Sequence, residues 1–208
     1  MRPVTEALFL EFVRIVTVTN TFPVLDAIHV IAREDATLVE ALAALNPHSL
    51  ERAVGELHSA TSIFVLGAGR SGLALRMTAM RLMHLGLTVH IVGEVTTPAI
   101  DRGDVLLVAS GSGTSEAIVR SAKTAIDVGA VVVTLTTASK SLLADLSSVL
   151  IEVPAAEKLD RAATKSVQYA GSLFEQAVVT IGDAFFHSLW LRSGQSADDL
   201  WPRHANLE

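Results

Sequence analysis

Beyond Ser62, short runs of apolar and largely β-branched residues alternate with segments of helical spacing. The runs are Ile63–Leu66, Val89–Val92, Val105–Ala109, Val131–Leu135 and Val149–Val153. A strand with one face in water alternates apolar and polar residues, so an unbroken apolar run requires cover on both faces. Helical segments near 71–85, 114–128 and 140–147, and a long one near 172–192, can supply that cover. Returning through a helix each time also forces the strands to run parallel. Upstream, Val24, Ile28 and Ile31 followed by Leu38, Leu42 and Leu45 have helical spacing. Asn46-Pro47 ends that helix and 48–59 resume another, with Pro3, Pro23 and Pro47 as the breaks. The expected architecture is a three-layer α/β sandwich on a five-stranded parallel sheet of flavodoxin-like order 2-1-3-4-5. A helical N-terminal arm (1–60) and an α/β core with C-terminal helix and tail (61–208) would together form one domain.

Composition removes several function classes. The 208 residues are 50% hydrophobic and only 18% charged, which is incompatible with a disordered chain. No window reaches the ~18 uninterrupted apolar residues of a membrane span. The nearest stretch, 172–191, carries Glu175, Asp183 and His187 and reads as a buried helix. No secretory leader pattern opens the chain, and with zero cysteines there are no disulfides, thiolate chemistry or cysteine metal sites. A cytoplasmic enzyme fits. The net charge of −6 disfavours a nucleic-acid surface, and the first sixty residues hold four arginines, no lysine and eight acidic residues.

Two loops carry the ligand chemistry. The first strand runs into Gly67-Ala68-Gly69-Arg70-Ser71-Gly72 and then a helix, which is G-x-G-x-x-G in a strand–turn–helix setting. Glu94 lies roughly where a ribose-binding acid would stand, ~20 residues on. The plainer reading is a glycine turn that packs helix on strand. The third strand ends in Ser110-Gly111-Ser112-Gly113-Thr114-Ser115, again opening a helix. Glycines admit an anion to backbone N–H groups, hydroxyls add neutral donors, and the helix start adds partial positive charge. A dinucleotide fold has no need of that second cradle. In sheet order 2-1-3-4-5 the first and third strands are neighbours, so both loops meet at the switch point. Two cradles on one crevice point to a small phosphorylated ligand.

Residues 62–137 resemble a sugar isomerase (SIS) domain, in which the second loop holds phosphate and the first contacts sugar. Further stretches resemble one branch, the 6-phospho-3-hexuloisomerases of the ribulose monophosphate pathway of formaldehyde assimilation. These are Arg81-Leu82-Met83-His84-Leu85-Gly86, Val92-Gly93-Glu94, Thr97-Pro98, Gly171-Ser172-Leu173-Phe174-Glu175-Gln176 and Arg203-His204-Ala205-Asn206-Leu207. The family has Pro-Met ahead of its Gly-Ser-Leu-Phe-Glu stretch; here Tyr169-Ala170 stand there. The resemblance implies conversion of D-arabino-hex-3-ulose 6-phosphate to fructose 6-phosphate by a homotetramer, with no metal or other cofactor. It implies a substrate cradle of Gly69, Arg70, Ser71, Ser110, Gly111, Ser112, Gly113, Thr114 and Ser115.

The resemblance also places the base at Glu175. The competing reading is a capping box, with Ser172 as N-cap and Glu175 three residues on. His84 and His204 compete as proton shuttle. His84 sits among Leu82, Met83 and Leu85, where a packed structural histidine is the ordinary case. His204 belongs to a tail whose Trp201 and Arg203 favour docking over disorder, and which the resemblance has closing over a site, its own or a neighbouring subunit's. Lys165 is a further phosphate-neutralising candidate. Three rivals remain: another SIS-type sugar-phosphate isomerase, a non-catalytic sugar-phosphate sensor, and a nicotinamide-dependent oxidoreductase.

Overall fold

The computed structural model describes residues 23–156, 166–169 and 171–207. Lys165 lies outside them. Among the described residues two helices come first, α1 (Val24–Ala43) and α2 (Pro47–Ser59), with the Asn46 side chain accepting from the His48 N–H at the break between them. The α/β region follows as β1 (Ile63–Gly67), α3 (Gly69–His84), β2 (Val89–Ile91), β3 (Val105–Ala109), α4 (Glu116–Val128), β4 (Val131–Thr136), α5 (Leu142–Asp145) and β5 (Val149–Glu152). The chain then forms α6 (Ser172–Ser193), α7 (Ala197–Leu200) and a 3-10 turn, Trp201–Arg203. The sheet is wholly parallel in the order β2-β1-β3-β4-β5. This is the expected topology, with each strand within two residues of its expected limits.

Strand alternation explains the three layers. Ile63 and Val65 of β1, with Val105, Leu107 and Ala109 of β3, enter one core with α1, α2, α3 and α6. Phe64, Leu106 and Val108 point the other way, onto Ile118, Ala122 and Ala125 of α4 and Leu143 of α5. Both faces of the central strands are therefore dry, as their unbroken apolar runs require. No helix of the described residues is long and apolar enough to cross a membrane.

One expectation changes. The segment 67–72 is scarcely a loop: only Ala68 separates β1 from α3, and Gly69 to Gly72 form the helix's first turn. The first and last glycines of the motif do what the plainer reading asked of them. A Cβ on Gly72 would lie 2.4 Å from the Gly67 carbonyl oxygen, so strand end and helix start meet backbone to backbone. That contact sets Arg70 and Ser71 at the mouth of the crevice. The partner helix comes equally close, since a Cβ on Gly182 of α6 would lie 2.0 Å from Thr78 Oγ1 of α3. The helix carrying Ser71 and the helix carrying Glu175 thus pack as one unit.

Candidate active site

At the carboxyl ends of β1 and β3, where the chain turns opposite ways, lies a cleft of about 270 Å³. It is near the lower end of small-molecule pockets, roughly 300–1,000 Å³. Gly69, Arg70 and Ser71 line one side, and Ser110, Gly111, Ser112 and Ser115 line another. Gly171, Phe174 and Glu175 from the start of α6 close the third. Ala68, Ala109, Ile118 and Ala156 complete the wall. The two sequence cradles therefore do converge, and α6 brings the Glu175 motif onto them.

The second cradle is a true loop, ending at Ser115, the N-cap of α4. Its carbonyls are engaged behind it. Gly111 O accepts from Thr136 Oγ (3.1 Å), Thr137 Oγ (2.8 Å) and the Thr137 N–H (3.2 Å). Gly113 O accepts from the Leu143 N–H at 3.1 Å. With those acceptors turned away, the face toward the cleft is left to hydroxyls and N–H groups at a helix N-terminus, an arrangement suited to phosphate. Thr136 and Thr137 escaped the sequence reading. Thr136 ends β4 and Thr137 follows it, just past the apolar run Val131–Leu135 that marks the strand. Gly113 and Thr114 do not line the cleft: Gly113 packs against Ser141, where a Cβ would lie 2.1 Å from the hydroxyl, and Thr114 Oγ bonds to Ser112 Oγ at 3.1 Å.

Glu175 is buried but for a small window, its side chain 13% exposed. Oε1 accepts from Ser71 Oγ at 3.0 Å, and Arg70 Nε lies 3.5 Å from Oε2. Oε2 has no hydrogen-bond donor among the described residues. One carboxylate oxygen is thus fixed by a hydroxyl, and the other is buried beside Arg70 with no hydrogen-bond donor of its own among the described residues. The capping-box reading is overturned. Gly171, at φ 89°, is the N-cap of α6, Ser172 is its first helical residue, and Ser172 Oγ donates to Tyr169 O at 2.8 Å. Glu175 is not reaching back to an N-cap N–H; it faces Ser71 and Arg70.

The histidines lie elsewhere. His84 ends α3, the helix that begins at Gly69, so it stands ~22 Å along the axis from the cleft at 1.5 Å per residue. His204 joins it there, ring centroids 4.0 Å apart, and the Trp201 ring lies 4.7 Å from that of His204. Arg203 Nη1 donates to His84 O at 3.3 Å and to Asp199 O at 3.1 Å, so the tail is docked as expected. Burial first, then His204 and Arg81, hold the His84 pKa below its ordinary value, and the imidazole is neutral near pH 7. Its Nδ1 is buried without a hydrogen-bond partner among the described residues. Within one chain, then, the histidine pair and Glu175 do not share a site. Glu94 is also outside the cleft and pairs with Arg76.

The sequence profile of the SIS domain matches residues 56–180, which takes in both cradles and Glu175. The chain belongs to the SIS domain family. Within the family, this SIS domain is 56% identical over 146 residues to the 3-hexulose-6-phosphate isomerase of Mycobacterium gastri, covering 70% of this chain and 73% of that one. It is 37% identical over 151 residues to the Bacillus subtilis protein of the same name, covering 72% and 82%. Among solved SIS structures, a Methanococcus jannaschii protein, whose crystal structure was taken to infer 3-hexulose-6-phosphate isomerase function, superposes with a TM-score of 0.73. Its identity is 26%, with 88% of this chain and 99% of that chain covered.

Proposed function

We propose that this chain isomerises D-arabino-hex-3-ulose 6-phosphate to fructose 6-phosphate. The observation that carries the reading is the Glu175 carboxylate, one oxygen held by Ser71 and the other buried without a donor, in the wall of a cleft of sugar-phosphate size that it shares with the donor-rich loop. The names of its relatives support the same reaction. The phosphate rests on Ser110, Ser112, Ser115 and the N-terminus of α4, while Gly69, Arg70 and Ser71 face the sugar. Glu175 takes the proton from C2, leaving an enediolate across C2 and C3. Returning that proton to C3 moves the carbonyl to C2. Electrons balance within the substrate, since C2 is oxidised as C3 is reduced. A 3-ketose with O6 esterified has no hydroxyl placed to close a five- or six-membered ring, so this direction needs no ring opening.

The proton that passes between the C2 and C3 oxygens falls to the His84–His204 pair of a neighbouring subunit. The whole chain, 1–208, acts as one catalytic unit in a cytoplasmic homo-oligomer. A coupled assay for fructose 6-phosphate without added cofactor tests the reaction. In parallel, fructose 6-phosphate raises the melting temperature and NAD or NADP does not, because a ligand of the native state stabilises it. Stabilisation by the nicotinamide cofactor alone would overturn the reading.

The phosphate assignment makes its own demand. Ser112→Ala keeps the fold and raises KM for the sugar phosphate roughly ten- to a hundredfold, the loss of one hydrogen bond to a charged group. Unchanged steady-state kinetics in the folded variant would remove this loop from the site.

A further inference from the structure

Glu34 sits mid-way along α1 with only 7% of its surface exposed. A carboxylate that deep needs a full set of partners. All three described partners come from one short segment far along the chain. Ser166 Oγ donates to Oε2 at 2.8 Å, the Val167 N–H donates to Oε1 at 2.7 Å, and Gln168 Nε2 donates to Oε2 at 2.9 Å. Ser166 Oγ also accepts from the Gln168 N–H at 3.0 Å. Gln168 and Gln176 exchange amide hydrogen bonds, at 3.4 and 3.2 Å. The segment 166–168 is therefore gripped from α1 on one side and from the second turn of α6 on the other.

That segment leads directly to the catalytic end of α6. The next residue, Tyr169, offers its carbonyl to Ser172 Oγ and to the Ser172 N–H. Gly171 turns the chain into the helix, and Glu175 leans back over it: a Cβ on Gly171 would lie 3.3 Å from Oε2. Where α6 begins thus decides where the Glu175 carboxylate points. An apolar contact could hold the segment with less desolvation cost. Three hydrogen bonds to an ionised group fix direction as well as position.

We propose that Glu34 is a positioning residue for the isomerisation. It clamps 166–168 so that α6 starts in the register that sets Glu175 against Ser71 and the cleft. This rests on Glu175 being the base. It makes the helical arm part of the catalytic apparatus, not merely a cover for the core.

Glu34→Gln keeps the side chain's size but converts one acceptor into a donor among donors. Its kcat falls between ~10- and ~100-fold, the cost of sub-ångström to ångström misplacement of a reacting group. KM barely moves, because the phosphate loop is untouched, and fructose 6-phosphate still raises the melting temperature. Ser166→Ala removes one donor without altering α1, and lowers kcat in the same sense by less. The double variant is no worse than Glu34→Gln alone, since both act through one contact. A folded Glu34→Gln with wild-type kcat overturns the clamp. If Glu34→Gln fails to fold, Ser166→Ala decides by itself, and an unchanged kcat there is equally fatal. Backbone amide exchange supplies a readout independent of turnover. Faster exchange across Val167–Glu175 in Glu34→Gln supports the clamp even if the wild-type chain proves inactive on the 3-hexulose phosphate, in which case the assigned reaction is what fails. Unchanged exchange overturns the clamp whether or not the wild type turns over.

Discussion

Glu175→Gln loses at least ~10²-fold in kcat, the low end of what a positioned general base contributes. The amide fits the same space and still accepts from Ser71 Oγ through its oxygen, but it cannot take a proton from carbon at neutral pH. Stability should change little. The carboxylate caps no helix in this structure. Its ionic partner, Arg70, has a side chain 65% exposed, and such pairs contribute at most ~1 kcal/mol. A large loss of turnover with a melting temperature close to wild type is therefore the signature of a base. Incorporation of solvent deuterium at C3 of fructose 6-phosphate falls in step, because the same carboxylate exchanges that proton when the reaction runs backwards. Wild-type turnover and exchange in the folded variant would move the base elsewhere, with His84 and His204 next to be tried.

The chain's own residues disclosed some of this and withheld the rest, for physical reasons. Strands were legible because burial on both faces leaves no choice of residue type: Val105 to Ala109 are all buried, and the run is apolar throughout. The meeting of the two cradles followed from strand order, since adjacent parallel strands bring their carboxyl ends together. The limits of the first cradle were not legible. Glycine-rich sequence looks alike whether it is loop or first helical turn, and here the Gly67–Gly72 contact lets the helix start at once. The capping-box spacing of Ser172 and Glu175 misled for a similar reason, because Gly171 takes the N-cap with positive φ and shifts Ser172 inside the helix. Glu34 gave no local signal at all. Its partners stand more than 130 residues away, and only the fold makes a helix-face glutamate into a buried clamp.

His204→Gln and Glu175→Gln, each nearly inactive alone, regain activity when the two are mixed under conditions that let subunits exchange. The reason lies in α3. Its outer side carries Leu73, Met77, Met80 and Met83, all exposed in the single chain, at 64%, 52%, 51% and 39%. They form a helical stripe running from the cleft end to the histidine end. On the proposed reading of a homo-oligomer with a shared site, the same stripe of a second copy covers it in a two-fold contact. If two α3 helices cross antiparallel about Met77, each residue faces one as far on the other side of that centre. His84, seven positions beyond Met77, then faces Arg70 of the other subunit, seven positions before it. The ~22 Å of α3 that holds the histidines away from the cleft within a chain would then become adjacency between chains. His204 alone, on this view, costs ~10²-fold or more when replaced, as a lost proton shuttle does. A mixed dimer of the two variants holds one cleft with neither lesion and one with both. Random exchange should therefore restore roughly one quarter of wild-type sites, as an isologous pair dictates. Mixed oligomers that form, as seen by native mass spectrometry, yet stay inactive would return His84 and His204 to a structural role. Wild-type turnover in His204→Gln would do so more directly.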